Sequence, residues 1–578
     1  MRLGAYAVAA TVVLYGLILG YTAVQTHRHL RDAQATVGLL RAGLLRQDTP
    51  RAELDARLGE LQRQARSARD LTAGPAWSLP ARIPWVGRPF ATVEGAAAAV
   101  DDLAQEVLPP VRQARDSLVG VDLQRRGGGI DLTPVIAAQA PLRQAHGASE
   151  RILHRVAALP ETSISPVDAA RSDLLGQVQD LTRQLGSMQQ AVSLLPPMLG
   201  ADGPRRYMVA FQNNAEARGA GGLPGVYAVV RADRGKVSFE HYGVSGDFAG
   251  VSVPLTGLSE GYAAHYATAA PGGFFGNATV SPHFPDGATL LLRYWKAKTG
   301  QQLDGAVGID PTALSLMLAV TGPTTMPDGT TVGASNVVAL TERDAYQRFT
   351  DPVVRKQYLI VVAKAVADDL LQHGPQKGSQ LAGAVGKAVA QRRLLAFSTH
   401  PAEQKVLAAR PVGGVLSDTD DLFSGVVINN AGGNKLDYYL KREVTYAAAD
   451  CGSTDPRATV TIRLTNTAPR TGLTSYVAGR ADHPVVPVTR GTNLLLVGYY
   501  ASKGAAFSDA TLDGEQAFLA IDSERGRPVF TSALEIAPGQ TRTLVLHIEE
   551  PPKARGPVTT LVQPLVLPQK TTVTAPPC

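Results

Sequence analysis

The sequence predicts a multidomain α+β protein: an N-terminal transmembrane helix, a helical stalk or bundle, an α/β domain and a C-terminal β-sandwich of Ig-like type. Three observations carry this prediction. Apolar residues recur at helical spacing through the first third of the chain. At Gly203 the texture changes to short Val-, Ile- and Tyr-rich runs alternating with helical stretches. From Asp420 onward apolar and polar residues alternate between evenly spaced turn signals. The chain has 578 residues, too many for one core when domains run to roughly 100–200 residues.

Leu3 to Val24 carries no charged residue, and about 20 apolar residues in a helix cross the hydrocarbon core of a bilayer. Residues 1–26 are therefore expected to anchor the chain in the cell membrane by a single pass, with its bulk outside the cytoplasm. Arg2 before the segment and Arg28 and Arg31 after it leave the positive-inside rule undecided. The short N-terminal tail decides, because long domains translocate largely regardless of local charge. A cleaved signal peptide is the competing reading. Against it, the apolar stretch exceeds a usual signal core and no small-x-small cleavage site follows.

Residues 27–197 read as the helical bundle or stalk. Leu30, Val37, Leu40, Leu44, Leu54, Leu58 and Leu61 recur at helical spacing, and prolines at 75, 80, 84 and 89 then break the pattern. Helical periodicity returns from Val93 to Val107, Gly127–Gly129 break it, and a helix follows at about 133–158. The last helix is expected to start with Ser165 as N-cap and Pro166 at its first position, and to stop at Pro196-Pro197. The α/β domain spans 204–410, opening with the strands "RRYMVAFQ", "GVYAVVRAD" and "KVSFEHY". The sandwich spans 425–552. The Pro- and Thr-rich tail, 553–578, is expected to be loosely ordered.

Much familiar chemistry is excluded at the level of motifs. There is no Walker A loop, no dinucleotide fingerprint, no H-E-x-x-H and no C-x-x-C, and the eleven histidines lack ligand spacing. "GVSGD" around Ser245 lacks the last glycine of a nucleophile elbow. The net charge of +6 is spread along the chain and does not call for nucleic acid. Cys451 and Cys578 are the two cysteines. In an oxidising compartment they can form one disulfide, and otherwise they stay free thiols.

One segment stands out: "FQNNAEARGAGGLPGVYAVVRADRGKVSFEHYGVSGD", residues 211–247. Gln212, Asn213 and Asn214 end a strand, Glu216 and Arg218 follow in a turn, and a Gly run leads into the next strand. Polar residues clustered where a strand gives way to a Gly-rich turn suit a site. The plainer reading is a capped turn with an internal Glu–Arg ion pair.

This segment resembles a family of actinobacterial envelope proteins, domain of unknown function 4012. The likeness extends to "SPHFPDGA" (281–288), "DGAVGIDPTALSLMLAVTGPTTM" (304–326), "GGVLSDTDDLFSGVVINNAGGNKLDYYLKREVTY" (413–446) and "GYYASKGA" (498–505). His283 stands where an Asp is expected. More distantly, the α/β domain looks like the LytR-CpsA-Psr glycopolymer transferases, which move glycans from a polyprenyl-pyrophosphate lipid onto the cell wall. That likeness implies that Arg218, Arg348 and Arg355 hold the pyrophosphate, with Gln357 beside Arg355 and Asn213 and Asn214 near the substrate. Fixed guanidinium charge on non-bridging oxygens suits phosphoryl transfer. Asp247 is then expected to bind Mg²⁺ or act as base, and Glu216 to replace an acidic residue missing from the Gly-rich turn. Two functions follow: recognition of the lipid-linked glycan with transfer to the cell wall, or a non-catalytic envelope protein that acts as a scaffold or binds a glycan or lipid headgroup.

Overall fold

The computed structural model describes residues 15, 19–26, 28–29, 31–32, 36, 49–81, 83, 87–118, 129–449, 456–552 and 556–574. Cys451 and Cys578 lie outside these residues, and so does most of the expected anchor Leu3–Val24. Among the described residues no helix is long and apolar enough to cross a membrane. The chain is a multidomain α+β protein and divides into two compact units at Gly203.

The first unit is helical: α1 (Arg51–Ala73), α2 (Pro75–Ala81), α3 (Arg88–Asp102), α4 (Leu108–Leu118), α5 (Thr133–Ala157) and α6 (Ser165–Met198). A π turn, Leu103–Val107, joins α3 to α4. The stripe Ala138, Leu142, Ala145, Ile152 and Val156 on α5 packs with Val178, Leu185 and Val192 on α6, as the i, i+3, i+4 spacing requires. Two local expectations are corrected. Ser165 is the first helical residue, not the cap, and Ile164 occupies the cap position without a side-chain bond. α6 also runs through Pro196-Pro197 to Met198. Pro196 has no N–H for the carbonyl four residues back, and Gln139 Nε2 donates to that Val192 oxygen instead at 2.9 Å.

The second unit starts with a five-stranded sheet of order β3-β2-β1-β4-β5. Its strands are β1 (Arg205–Arg218), β2 (Gly221–Asp233), β3 (Lys236–Val244), β4 (Gly305–Ile309) and β5 (Leu394–Ser398). β1 and β4 run parallel, Tyr207–Phe211 beside Gly305–Ile309, and every other neighbouring pair is antiparallel. Side chains alternate across the sheet. Met208 and Ala210 pack towards α7 (Phe284–Thr299) with Leu290, Leu291 and Tyr294. Val209 and Phe211 pack on the other face with α8 (Pro311–Thr321), α10 (Pro352–His373) and α11 (Gly378–Ala390). Before α10 lie a π turn, Leu340–Asp344, and the one-turn α9 (Ala345–Arg348). After β5 comes α12 (Pro401–Ala408).

Two further sheets enclose one hydrophobic cluster, built from Val426, Ile428, Leu495, Val497 and Phe530 on one side and Val444, Val460, Ile462, Leu544 and Leu546 on the other. The five-stranded sheet contains β6 (Phe423–Asn430), β9 (Asn493–Tyr500), β12 (Ala520–Glu524), β13 (Arg527–Ile536) and β15 (Thr559–Val562), in the order β12-β13-β9-β6-β15. The six-stranded sheet contains β7 (Leu440–Ala449), β8 (Arg457–Asn466), β10 (Ala506–Leu512), β11 (Glu515–Gln516), β14 (Thr541–Glu549) and β16 (Gln569–Thr574), in the order β11-β10-β14-β8-β7-β16. β15 and β16 come from the tail expected to be loose. Instead, β15 pairs in parallel with β6 and β16 with β7.

Candidate functional site

The C-terminal half of β1 stays paired with β2 as far as Arg218 opposite Gly221 and packs against the sandwich. Ala217 belongs to the sandwich core, and its N–H donates to Asp437 Oδ2 at 2.7 Å. Gly219 N donates to Asn429 Oδ1 at 3.1 Å. Asp437 also accepts from Asn430 at 2.9 Å and Asn493 at 2.6 Å, and burial raises its pKa against the lowering effect of these bonds. The Gly run is required here: a Cβ on Gly219 would lie 2.1 Å from Val280 O, and one on Gly222 2.3 Å from Asn213 C. The segments "NNAEARGAGG" and "INNAGGNKLD" thus interlock.

Arg218 is consumed by this junction. It is buried, with Nε donating to Asn277 Oδ1 at 2.8 Å and Nη1 to the Ala217 and Asn430 carbonyls at 2.8 and 3.2 Å. Burial lowers its pKa, opposed by Glu216 and Asp437. The expected Glu216–Arg218 ion pair is not formed. Glu216 pairs with Lys435 instead, both buried at 8% and 3% exposure. Burial disfavours the Lys435 ammonium, but Glu216, Tyr346 and Tyr476 outweigh it and the net shift is upward.

Beside the junction, at the C-terminal ends of parallel β1 and β4, lies a cavity of about 110 Å³. Such strand ends are where open α/β sheets bind ligands. β1 supplies Phe211, Gln212, Asn213 and Glu216, and β2 supplies Leu223 and Val226. The π turn supplies Thr341 and Glu342, α9 Tyr346, α10 Arg355 and Lys356, and the sandwich Lys435 and Tyr476. Leu314, Leu359, Val362 and Ala363 make an apolar wall. The Arg355 guanidinium carbon lies 4.0 Å from the ring centre of Tyr476 and 5.1 Å from that of Tyr346. Its Nη1 donates to Phe349 O at 2.9 Å. Asn213 Nδ2 donates to Tyr346 Oη at 2.8 Å, which fixes the ring.

Glu342 accepts from Asn214 N at 2.7 Å. Burial first, and Asp310 second, push its carboxyl up from 4.5 to about 8, so it is uncharged at neutral pH. Three cations, Arg355, Lys356 and Lys435, then face one charged carboxylate, Glu216. The cavity is a cationic pocket with an apolar wall, able to hold an anion attached to an apolar chain.

The residues named from the sequence divide accordingly. Asn213, Glu216 and Arg355 line the cavity. Asn214 lies behind it, with its amide donating to Pro564 O at 2.8 Å. The other four stand elsewhere. Arg218 is in the junction. Arg348 is 57% exposed, 4.0 Å from Asp328. Gln357 is on the exposed side of α10. Asp247 closes a short turn, its Oδ2 accepting from Val244 N at 2.8 Å and Tyr227 Oη at 3.2 Å. Both bonds commit Oδ2 to the turn. Among the described residues no group of three or more His, Cys, Asp or Glu side chains could hold a metal. His283, where an Asp was expected, is buried and accepts from Leu416 N at 3.1 Å. Burial lowers its pKa to about 3, so it stays neutral.

Glu342, Tyr346, Lys356 and Tyr476 were not singled out from the sequence. Glu342 and Tyr346 share the stretch "LTERDAY", whose four-residue spacing places both on one helical face. Tyr476 carries no comparable signal. No curated protein and no solved structure matches the chain. A DUF4012 domain, of a family described as proteins of unknown function, is found at residues 202–346.

Proposed function

We propose that this is a membrane-anchored protein of the bacterial cell envelope that recognises a polyprenyl-pyrophosphate-linked glycan outside the cytoplasm. The observation that carries the reading is the cavity itself: Arg355, Lys356 and Lys435 line it together with the apolar side chains of Leu314, Leu359 and Val362. A pyrophosphate joined to an isoprenoid presents the complementary pair, two negative charges and a greasy stem. The likeness to LytR-CpsA-Psr transferases and the apolar segment Leu3–Val24 support the same reading, the first through its substrate class and the second through access to membrane lipid.

Transfer of the glycan to the cell wall is one form of this function, an LCP-like phosphotransferase. Binding without turnover is favoured by one specific observation. The two carboxylates expected to act as base are engaged elsewhere, Glu216 with Lys435 and Asp247 with Val244 N and Tyr227. The test is titration of the full-length chain in detergent micelles with geranyl pyrophosphate and with a longer polyprenyl pyrophosphate. Loss of the charge-assisted bonds of one guanidinium costs about 1.5–3 kcal/mol, so Arg355→Gln is expected to weaken binding roughly 10- to 100-fold. Equal binding by Arg355→Gln and the natural chain would overturn the assignment.

A further inference from the structure

Two hydrogen bonds tie the apolar segment Leu3–Val24 to the short helix α2 (Pro75–Ala81). Residues 19–26 are helical. Trp77 Nε1 donates to Thr22 Oγ1 at 2.9 Å, and Tyr15 Oη donates to Ala76 O at 2.7 Å. From behind, the helical unit holds α2 in place. Trp77 and Pro80 are buried, and the Trp77 ring meets Phe90 of α3 edge-on at 5.5 Å. The chain after α2 turns tightly, with Ile83 N donating to Pro80 O at 2.9 Å and Gly87 N to Ile83 O at 2.8 Å. A Cβ on Gly87 would lie 2.5 Å from Ala81 O, so the turn needs a glycine there. With Trp77 and Pro80 facing in, Leu79 and Ile83 are left outside, 58% and 53% exposed. Tyr21 and Val24, on either side of Thr22, are 65% and 52% exposed. Single exposed apolar side chains need no partner, but several gathered at one place mark a surface that something covers.

We infer that α2 and the turn after it form a second membrane contact, seated in the extracytoplasmic interface of the bilayer with Leu79 and Ile83 among the acyl chains. The inference rests on the reading of Leu3–Val24 as a membrane anchor. Two observations select lipid as the occupant. The first is position. Thr22, bonded to Trp77, stands two residues before Val24, where the apolar segment ends, and two residues of helix rise about 3 Å. Whatever surrounds that end of the anchor therefore reaches α2. The second is composition. From Leu71 to Val93 the chain carries Trp77, Trp85, Arg82 and Arg88 and no Asp or Glu. Tryptophan gathers at the membrane–water interface, and arginine beside it is drawn to anionic headgroups. α2 has seven residues, far too few to span the hydrocarbon core, so it lies in the interface beside the anchor.

The test places a fluorescent label at single cysteines in the full-length chain, with Cys451 and Cys578 changed to Ser. Leu79→Cys and Ile83→Cys report on α2, and Val24→Cys reports on the anchor. Ile136→Cys, at a position 46% exposed on α5, is the control. Each protein is reconstituted into vesicles of phosphatidylcholine and phosphatidylglycerol, with or without bromine high on the acyl chains. An interfacial helix sinks its apolar face about 5–10 Å into the boundary of headgroups and acyl chains, so bromine is expected to quench the labels at 79 and 83 about twofold or more. The label at 24 should be quenched as well, and the label at 136 should not. Two labelled positions keep the test open if one substitution disturbs α2. Quenching at 24 but at neither 79 nor 83 would overturn the second contact and leave the anchor standing. Quenching at 79 and 83 without 24 would support the contact and overturn the anchor. Labels at 79 and 83 that bromine does not reach, but that are shielded from aqueous iodide more strongly as protein concentration rises, would assign the surface to a second copy and overturn the inference. Quenching at none of the positions would overturn both contact and anchor.

Discussion

Exchange of Glu342 for Gln should change how stability depends on pH. Glu342 is buried against Asp310, Arg393 and Lys435, and its carboxyl is pushed up from 4.5 to about 8. In the unfolded chain it ionises near its ordinary value, whereas in the folded chain it keeps its proton to near pH 8. Between those limits the folded state binds one more proton, so stability falls as pH rises and levels off above the folded value. Each pH unit inside the window costs about 1.4 kcal/mol, so the step from about pH 5 to about pH 7.5 costs about 3 kcal/mol. Glu342→Gln keeps the shape and the acceptor for Asn214 N but cannot titrate. Its stability should therefore lack that slope and exceed that of the natural chain at the upper pH. The measurement is a urea titration of the full chain followed by Trp295, which is buried in the α/β part. The other tryptophans, Trp77 and Trp85, are replaced by Phe in both proteins. Parallel pH profiles for the two proteins would refute the reasoning and show Glu342 to be ionised in the folded state.

Four further outcomes are expected. Asp437→Ala strips the partner from Ala217 N, Asn430 and Asn493 and should cost about 3–5 kcal/mol, seen as an earlier unfolding transition in urea. Lys435→Met should cost about 3–5 kcal/mol by leaving Glu216 buried and unpaired, and the double change Glu216→Gln with Lys435→Met should recover most of it. Gly219→Ala drives a Cβ against the Val280 carbonyl and should destabilise by about 1–3 kcal/mol or more, read as faster proteolysis between the α/β part and the sandwich. Arg348→Ala and Gln357→Ala, both on exposed side chains, should each stay within about 0.5 kcal/mol of the natural stability and bind geranyl pyrophosphate as the natural chain does.

Local chemistry made much of this architecture legible. The five-fold recurrence of apolar residues from Ala138 to Val156 and the alternation of Met208–Phe211 are backbone periodicities, and they read directly from the order of residues. The segment around Asn213–Gly222 also announced itself, through polar residues set against glycines. Its use did not. Arg218 looks like a free anion clamp until Asn277 and Asn430, 59 and 212 residues away, are placed against it. Asp247 looks like a ligand or base until its turn is closed on Val244 and Tyr227. The cavity draws Lys435 and Tyr476 from the sandwich and Arg355 from α10, and no spacing rule connects positions so far apart. The tail was misjudged for a related reason. Its Pro and Thr content disfavours independent structure, but two established sheets offer it open edges, and pairing there replaces intrinsic propensity.

The last strands bear on the order in which the molecule can form. Gln563 donates to the carbonyls of Arg218 and Ile428, Pro564 O receives the Asn214 amide, and Leu565 O receives Arg393. These partners of the β1 junction are separated from it by 345 and 350 residues. A ribosome adding roughly 5–20 residues per second completes the α/β segment many seconds before it reaches Gln563. Until then the Asn214 amide and the Arg218 carbonyl lack these partners. A chain truncated before residue 563 would therefore carry a complete DUF4012 match and every residue that lines the cavity, without the bonds that close the β1 junction behind it.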